Sequence, residues 1–164
     1  MRRVTMFLVY HIYMNKKLFR RSSHALFCIR LHIVFVTKYR RKVITAPILE
    51  RLKSIFSELC ETQDCMVIEF NGEADHVHLL LDIAPTISIS ELVKVLKSGA
   101  SRIVRKEFAD HLKKFYSKPV FWSSSYFVNS CGGAPLEAVK KYIQNQDSPN
   151  IDKPYPCGKS PHHG

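Results

Sequence analysis

An α+β fold with elements in the order β-α-β-β-α-β is predicted by three features of the 164-residue chain. Short β-branched or alternating apolar stretches recur where strands are expected, and apolar residues at helical spacing fall between them. The second and third strands are joined by turn chemistry alone, Asn71-Gly72-Glu73, which makes them an antiparallel hairpin. This order is the split βαβ, ferredoxin-like or RRM-like arrangement: a four-stranded antiparallel sheet with helices on one face, here followed by a C-terminal helix. The other sheet face is then expected to stay free for a ligand or partner.

The first strand is expected over Ala25 to Val36, rich in β-branched and aromatic residues, and the basic turn Lys38-Tyr39-Arg40-Arg41-Lys42 ends it. Behind the start signals Thr45 and Pro47, the residues Ile48, Leu49, Leu52, Ile55, Phe56 and Leu59 trace one helix face to about Gln63. Strands follow at Cys65 to Phe70 and His76 to Ile83. A second helix starts near Ser88, where Ser88 and Glu91 form a capping-box pattern; its apolar face is Leu92, Val95, Leu96, Ile103, Val104 and Phe108, with Gly99 interrupting it. Phe121 to Ser130 reads as the fourth strand. Gly132-Gly133 then breaks the chain before a final helix, with Pro135 near its first turn, that runs to about Gln146. Three parts result: a basic extension over residues 1–22, unassigned and expected to be flexible; one domain over 23–147; and a proline-rich tail over 148–164, expected to be disordered.

Charge narrows the function classes. The chain carries 25 Lys+Arg against 14 Asp+Glu, a net +11. Eleven of the basic residues precede Pro47, and the first acid in the chain is Glu50, so the whole surplus sits in the first third. A one-sided field of this kind attracts polyanions, nucleic acid or anionic lipid, or serves only as a solvated basic face. The apolar run Thr5 to Ile12 is far shorter than the ~20 residues of a membrane span, and no small-x-small cleavage site follows it. Met14 offers an alternative start. Five cysteines without a C-x-x-C pair fit a reducing compartment, and a cytoplasmic protein is expected.

The chemistry-bearing pattern is His76-Val77-His78-Leu79-Leu80-Leu81. Strand alternation puts His76 and His78 on one face and Val77, Leu79 and Leu81 on the other, against the helices. Two neutral imidazoles on a rigid strand suit a divalent metal, although H-x-H is also compatible with two half-exposed strand histidines. Two ligands are too few, and the final helix offers further groups. Tyr142 and Gln146 are four apart on one face of that helix, separate from the apolar stripe Leu136, Val139 and Ile143. A tyrosine at such an amphipathic boundary is more often a packing residue whose hydroxyl reaches water, and Tyr142 taken alone is compatible with that role. His32 alternates onto the same strand face as Arg30, where a phosphate or a base would be in reach.

Four segments together, Tyr39-Arg40-Arg41-Lys42, Asp75-His76-Val77-His78-Leu79-Leu80, Gly132-Gly133-Ala134-Pro135-Leu136 and Tyr142-Ile143-Gln144-Asn145-Gln146, resemble the small single-tyrosine HUH transposases of the insertion-sequence 200/605 type. The resemblance runs from about His24 to Asp147, so residues 23–147 read as an HUH transposase domain. The extension before Ser23 and the tail after Asp147 match nothing in the family pattern.

What the resemblance implies is specific. His76, His78 and Gln146 correspond to the metal ligands and Tyr142 to the nucleophile. The reaction implied is cleavage and rejoining of single-stranded DNA at hairpin-bearing element ends through a 5′-phosphotyrosine link, with no nucleotide cofactor. A donor set of two nitrogens and one amide oxygen, completed by phosphate and water, suits Mg²⁺ or Mn²⁺. The family forms homodimers, with active sites that can be composite, and Gly132-Gly133 would let the tyrosine helix swing or exchange, or serve as a plain strand-to-helix turn.

Phosphate contacts are expected from Lys38, Arg40, Arg41 and Lys42 after the first strand, and from Arg102 and Arg105, with Lys94 and Lys97, on the second helix. Tyr39, Trp122 and Tyr126 are weaker candidates for stacking unpaired bases. Two other readings share the fold. One is a domesticated relative acting on repetitive extragenic hairpins, which would share every catalytic residue. The other is a noncatalytic RRM-like nucleic-acid-binding module, although the aromatic RNP motif of such modules is missing here.

Overall fold

The computed structural model describes residues 19–131 together with Lys141 and Gln144. Within it the strands are β1 (Arg20–Arg21), β2 (Leu26–Phe27), β3 (Ile29–Val36), β4 (Cys65–Gly72), β5 (His76–Ile83) and β6 (Phe127–Ser130). The helices are α1 (Ala46–Glu61), α2 (Ile89–Glu107) and the single turn α3 (Ala109–Leu112), with a 3-10 turn at Lys38–Arg40. The main sheet has the order β4-β5-β3-β6, and every pairing in it is antiparallel. This is the α+β, split βαβ arrangement that the sequence pattern predicts.

Strand parity decides where the core lies. Leu31, Ile33 and Phe35 of β3 and Val77, Leu79, Leu81 and Ile83 of β5 share one buried cluster with Ile48, Leu52, Ile55 and Phe56 of α1 and Leu92, Leu96, Ala100 and Val104 of α2. Both helices therefore cover one sheet face, as hydrophobic burial of two amphipathic stripes requires. Gly99 has a packing reason: a Cβ there would stand 2.8 Å from Leu59 Cδ1, so the glycine lets α2 approach α1.

Several local expectations are corrected. The first strand is broken at Cys28, and its outer piece β2 pairs with β1, which falls in the segment expected to be a flexible basic extension. The Arg20 guanidinium there bonds the Asp64 carboxylate and reaches Asp82 Oδ1 at 3.4 Å. Ser88 stands at the α2 N-cap without a side-chain cap bond, because its hydroxyl sits 3.1 Å from that of Ser90.

The fourth strand begins at Phe127 rather than Phe121. Phe121 and Trp122 turn into the core beside Phe35 and Phe56. The next three carbonyls, of Ser123, Ser124 and Ser125, accept bonds from Lys97 Nζ at 2.6, 2.9 and 3.1 Å, so Lys97 is a loop anchor rather than a free phosphate contact. The tail after Asp147, Gly132-Gly133, Tyr142 and Gln146 lie outside the described residues; of the expected final helix only Lys141 and Gln144 are described.

Candidate metal centre

β5 is an inner strand, paired with β3 on one side and β4 on the other, and all eight of its residues are buried. His76 and His78 project to the face away from the helices, as alternation requires. That face is not open at this point: His76 is 0% and His78 2% exposed. Their rings are 5.1 Å apart and nearly perpendicular.

Each ring has one nitrogen occupied and one idle. His76 Nδ1 donates to Asp75 Oδ1 at 2.6 Å, and Asp75 Oδ2 accepts from Arg40 Nε at 3.3 Å. His78 Nδ1 lies 2.9 Å from Nε2 of His32, itself 1% exposed. Nε2 of His76 and Nε2 of His78 are buried with no hydrogen-bond partner among the described residues. A buried polar atom left unpaired costs about 1–3 kcal/mol, so two on one strand call for an occupant.

The electrostatics favour a metal-ready state. Burial pushes His32 down to about 4; burial, then the neighbouring His32 and His76, push His78 down to about 3. Both rings are neutral at pH 7, the form in which an imidazole offers a lone pair. Burial pushes the Asp75 carboxyl up, but His76 and Arg40 outweigh that and hold it below its ordinary value, so it stays ionised. A carboxylate on the far nitrogen of a ligating histidine is the usual device for orienting the ring. The donor chemistry thus fits a divalent cation at the two Nε2 atoms. Glu73, Asp75 and His76 also bring donor atoms within 4.8 Å of one another, but there His76 would have to give up its bond to Asp75.

The structure brings His76, His78, Asp75 and Arg40 together. The basic turn carrying Lys38, Arg40, Arg41 and Lys42 joins this strand end, since Thr37 N donates to the Asp75 carbonyl at 2.9 Å. Tyr39 and Arg40 take left-handed backbone angles, φ 59° and 52°, and the Tyr39 ring is 73% exposed with Lys38 Nζ 5.0 Å from its centre.

Arg102 and Arg105 stand apart from the histidines, in the helix layer behind the sheet. There they line a concavity of about 530 Å³ with Lys106, Lys113 and Lys118. Trp122 is 8% exposed and packed among aromatics, so its ring is not available to a base. The contact that sequence reasoning missed is His32 with His78. Its shared face with Arg30 was legible, but the diagonal register that sets it opposite Leu80 and beside His78 was not.

Fold and site together define an α+β protein with a buried histidine pair on an inner strand of its sheet, one ring bonded to a carboxylate and the other to a third histidine. Residues 25–146 match the family described as "Transposase IS200 like". The transposases for insertion sequence element IS200 of Salmonella typhimurium and Salmonella typhi are each 33% identical over 124 residues, 76% of this chain and 80% of theirs. A crystal structure of a Deinococcus radiodurans protein assigned as a transposase superposes with a TM-score of 0.64 at 27% identity, over 77% of this chain and 97% of that one. The chain belongs to the IS200-like transposase family, enzymes of DNA transposition that cleave and rejoin DNA. Among the described residues, no helix is long and apolar enough to cross a membrane.

Proposed function

We propose that this transposase cuts and rejoins single-stranded DNA at hairpin-bearing ends through a 5′-phosphotyrosine on Tyr142, with Mg²⁺ or Mn²⁺ held by His76, His78 and Gln146. The observation that carries the reading is the pair of buried Nε2 atoms, without a partner among the described residues, on rings whose Nδ1 atoms are engaged. When bound, the cation supplies Lewis-acid polarisation of the scissile phosphate.

The protein's own groups do the rest. Asp75 holds the His76 ring, and Arg40 holds Asp75. The Tyr142 oxygen attacks phosphorus in line; the new O–P bond forms as the P–O3′ bond breaks, and the phenolic proton is lost as the 3′ oxygen gains one. A phenol of pKa near ~10 is a poor nucleophile until deprotonated but a good leaving group. The free 3′ hydroxyl can therefore reverse the step and rejoin DNA.

Lys38, Arg41 and Lys42, all on the turn beside the His76 strand end, neutralise backbone phosphates near the cut. Arg102 and Arg105, in the helix layer, serve DNA further away. The enzyme acts as a homodimer in the cytoplasm, with Tyr142 supplied in the same chain or by the partner.

The test is incubation with Mg²⁺ and a labelled single-stranded hairpin oligonucleotide, resolved on a denaturing gel. A protein-linked band is expected from the wild type and none from Tyr142→Phe, which still shifts the DNA in a native gel. A linked band from Tyr142→Phe overturns the nucleophile assignment.

A further inference from the structure

We propose that His32 is a positioning residue for the metal centre: it accepts a hydrogen bond from Nδ1–H of His78 and so holds His78 in the tautomer whose Nε2 lone pair faces the cation. This rests on the metal-centre reading given above. The two nitrogens are 2.9 Å apart, while the ring centres are 5.1 Å apart with planes only 11° from parallel. A nitrogen separation so much shorter than the centre separation places both nitrogens between the ring centres. The contact therefore lies close to the plane of both rings, where an imidazole N–H and lone pair point, and is a hydrogen bond rather than a face-to-face stack.

Only one proton sits between these two nitrogens. If His32 donated it, His78 would carry its own proton on Nε2, leaving a buried N–H with no acceptor among the described residues and no lone pair for a metal. If His78 donates, Nε2 becomes a free lone pair. The second arrangement makes His78 equivalent to His76, where the Asp75 carboxylate dictates the same tautomer. The strand thus uses one orienting device twice, once with a carboxylate and once with an imidazole. The imidazole performs it without adding negative charge beside a phosphodiester.

The experiment has a metal-free arm and a metal arm. In ¹⁵N-labelled, metal-free wild-type protein, long-range ¹H–¹⁵N spectra are expected to show His78 protonated on Nδ1; a proton on Nε2 overturns the proposal without any mutant having to fold. In the metal arm, Mn²⁺ binding is titrated by electron paramagnetic resonance. His32→Phe keeps a ring but has no acceptor, and it is expected to bind Mn²⁺ about tenfold or more weakly. His32→Gln puts an amide oxygen where Nε2 stood and is expected to retain affinity within about threefold. Binding that depends on His76 yet is unchanged in His32→Phe overturns the role of His32 alone. Equal Mn²⁺ binding by wild type and His76→Ala overturns the metal-centre reading beneath it.

Discussion

Acidifying the metal-free protein separates a buried neutral histidine pair from an ordinary exposed one. In the folded chain, burial lowers His32 to about 4 and His78 to about 3, whereas in the unfolded chain each titrates near ~6.5. The unfolded state therefore binds more protons at any pH between these values. Stability from this source is fully present above about 6.5 and is lost as pH falls toward the folded values.

At pH 5 each ring is about 1.5 units below its unfolded pKa, which at ~1.36 kcal/mol per unit amounts to about 2 kcal/mol per histidine and about 4 for the pair. That is a large share of the 5–15 kcal/mol typical of a domain. Urea unfolding at pH 7, 6 and 5 reads the loss directly, and carboxylates protonate mostly below this window. His78→Gln, with one titrating ring fewer, is expected to show about half the slope. A wild-type stability that stays flat from pH 7 to 5 would refute the neutral, buried pair.

Two substitutions probe the elements that hold His76. Asp75→Asn removes the charged acceptor on Nδ1 and is expected to weaken Mn²⁺ binding about tenfold or more by calorimetric titration, with little change in the unfolding midpoint. Unchanged affinity would show that the carboxylate does not orient the ring. Gly72→Ala would put a methyl 2.8 Å from the His76 carbonyl oxygen, 2.8 Å from Val77 Cγ1 and 2.9 Å from Leu49 Cδ1. A backbone oxygen on the paired strand cannot swing aside, so a loss of about 1–3 kcal/mol is expected in urea unfolding. A neutral outcome would mean that the hairpin has room for a methyl group at this position.

Much of this was readable from residue periodicity. The period of two in β5 separates His76 and His78 from Val77, Leu79 and Leu81, and the structure keeps that separation because only the second set meets α1 and α2. Local pattern could not report what depends on partners distant in sequence. The stretch from Phe121 to Tyr126 has strand-like composition, yet Phe121 and Trp122 are drawn into the aromatic core and the serine carbonyls after them are claimed by Lys97, 26 to 28 residues earlier. For the same reason Lys97 reads as a surface cation in the sequence and acts as a clamp in the fold. His32 and His78 are 46 residues apart, and only the β3–β5 register makes them neighbours. The expected exposure of the histidine face followed from counting sheet layers, whereas His32, His76 and His78 are all buried.

The proposed chemistry requires the Nε2 atoms of His76 and His78 to share one divalent cation. Anomalous diffraction from crystals soaked in Mn²⁺ addresses it directly. One peak within coordination distance of both Nε2 atoms is the expected result. A peak at Glu73 and Asp75 on the hairpin turn, or none near either histidine, would contradict it.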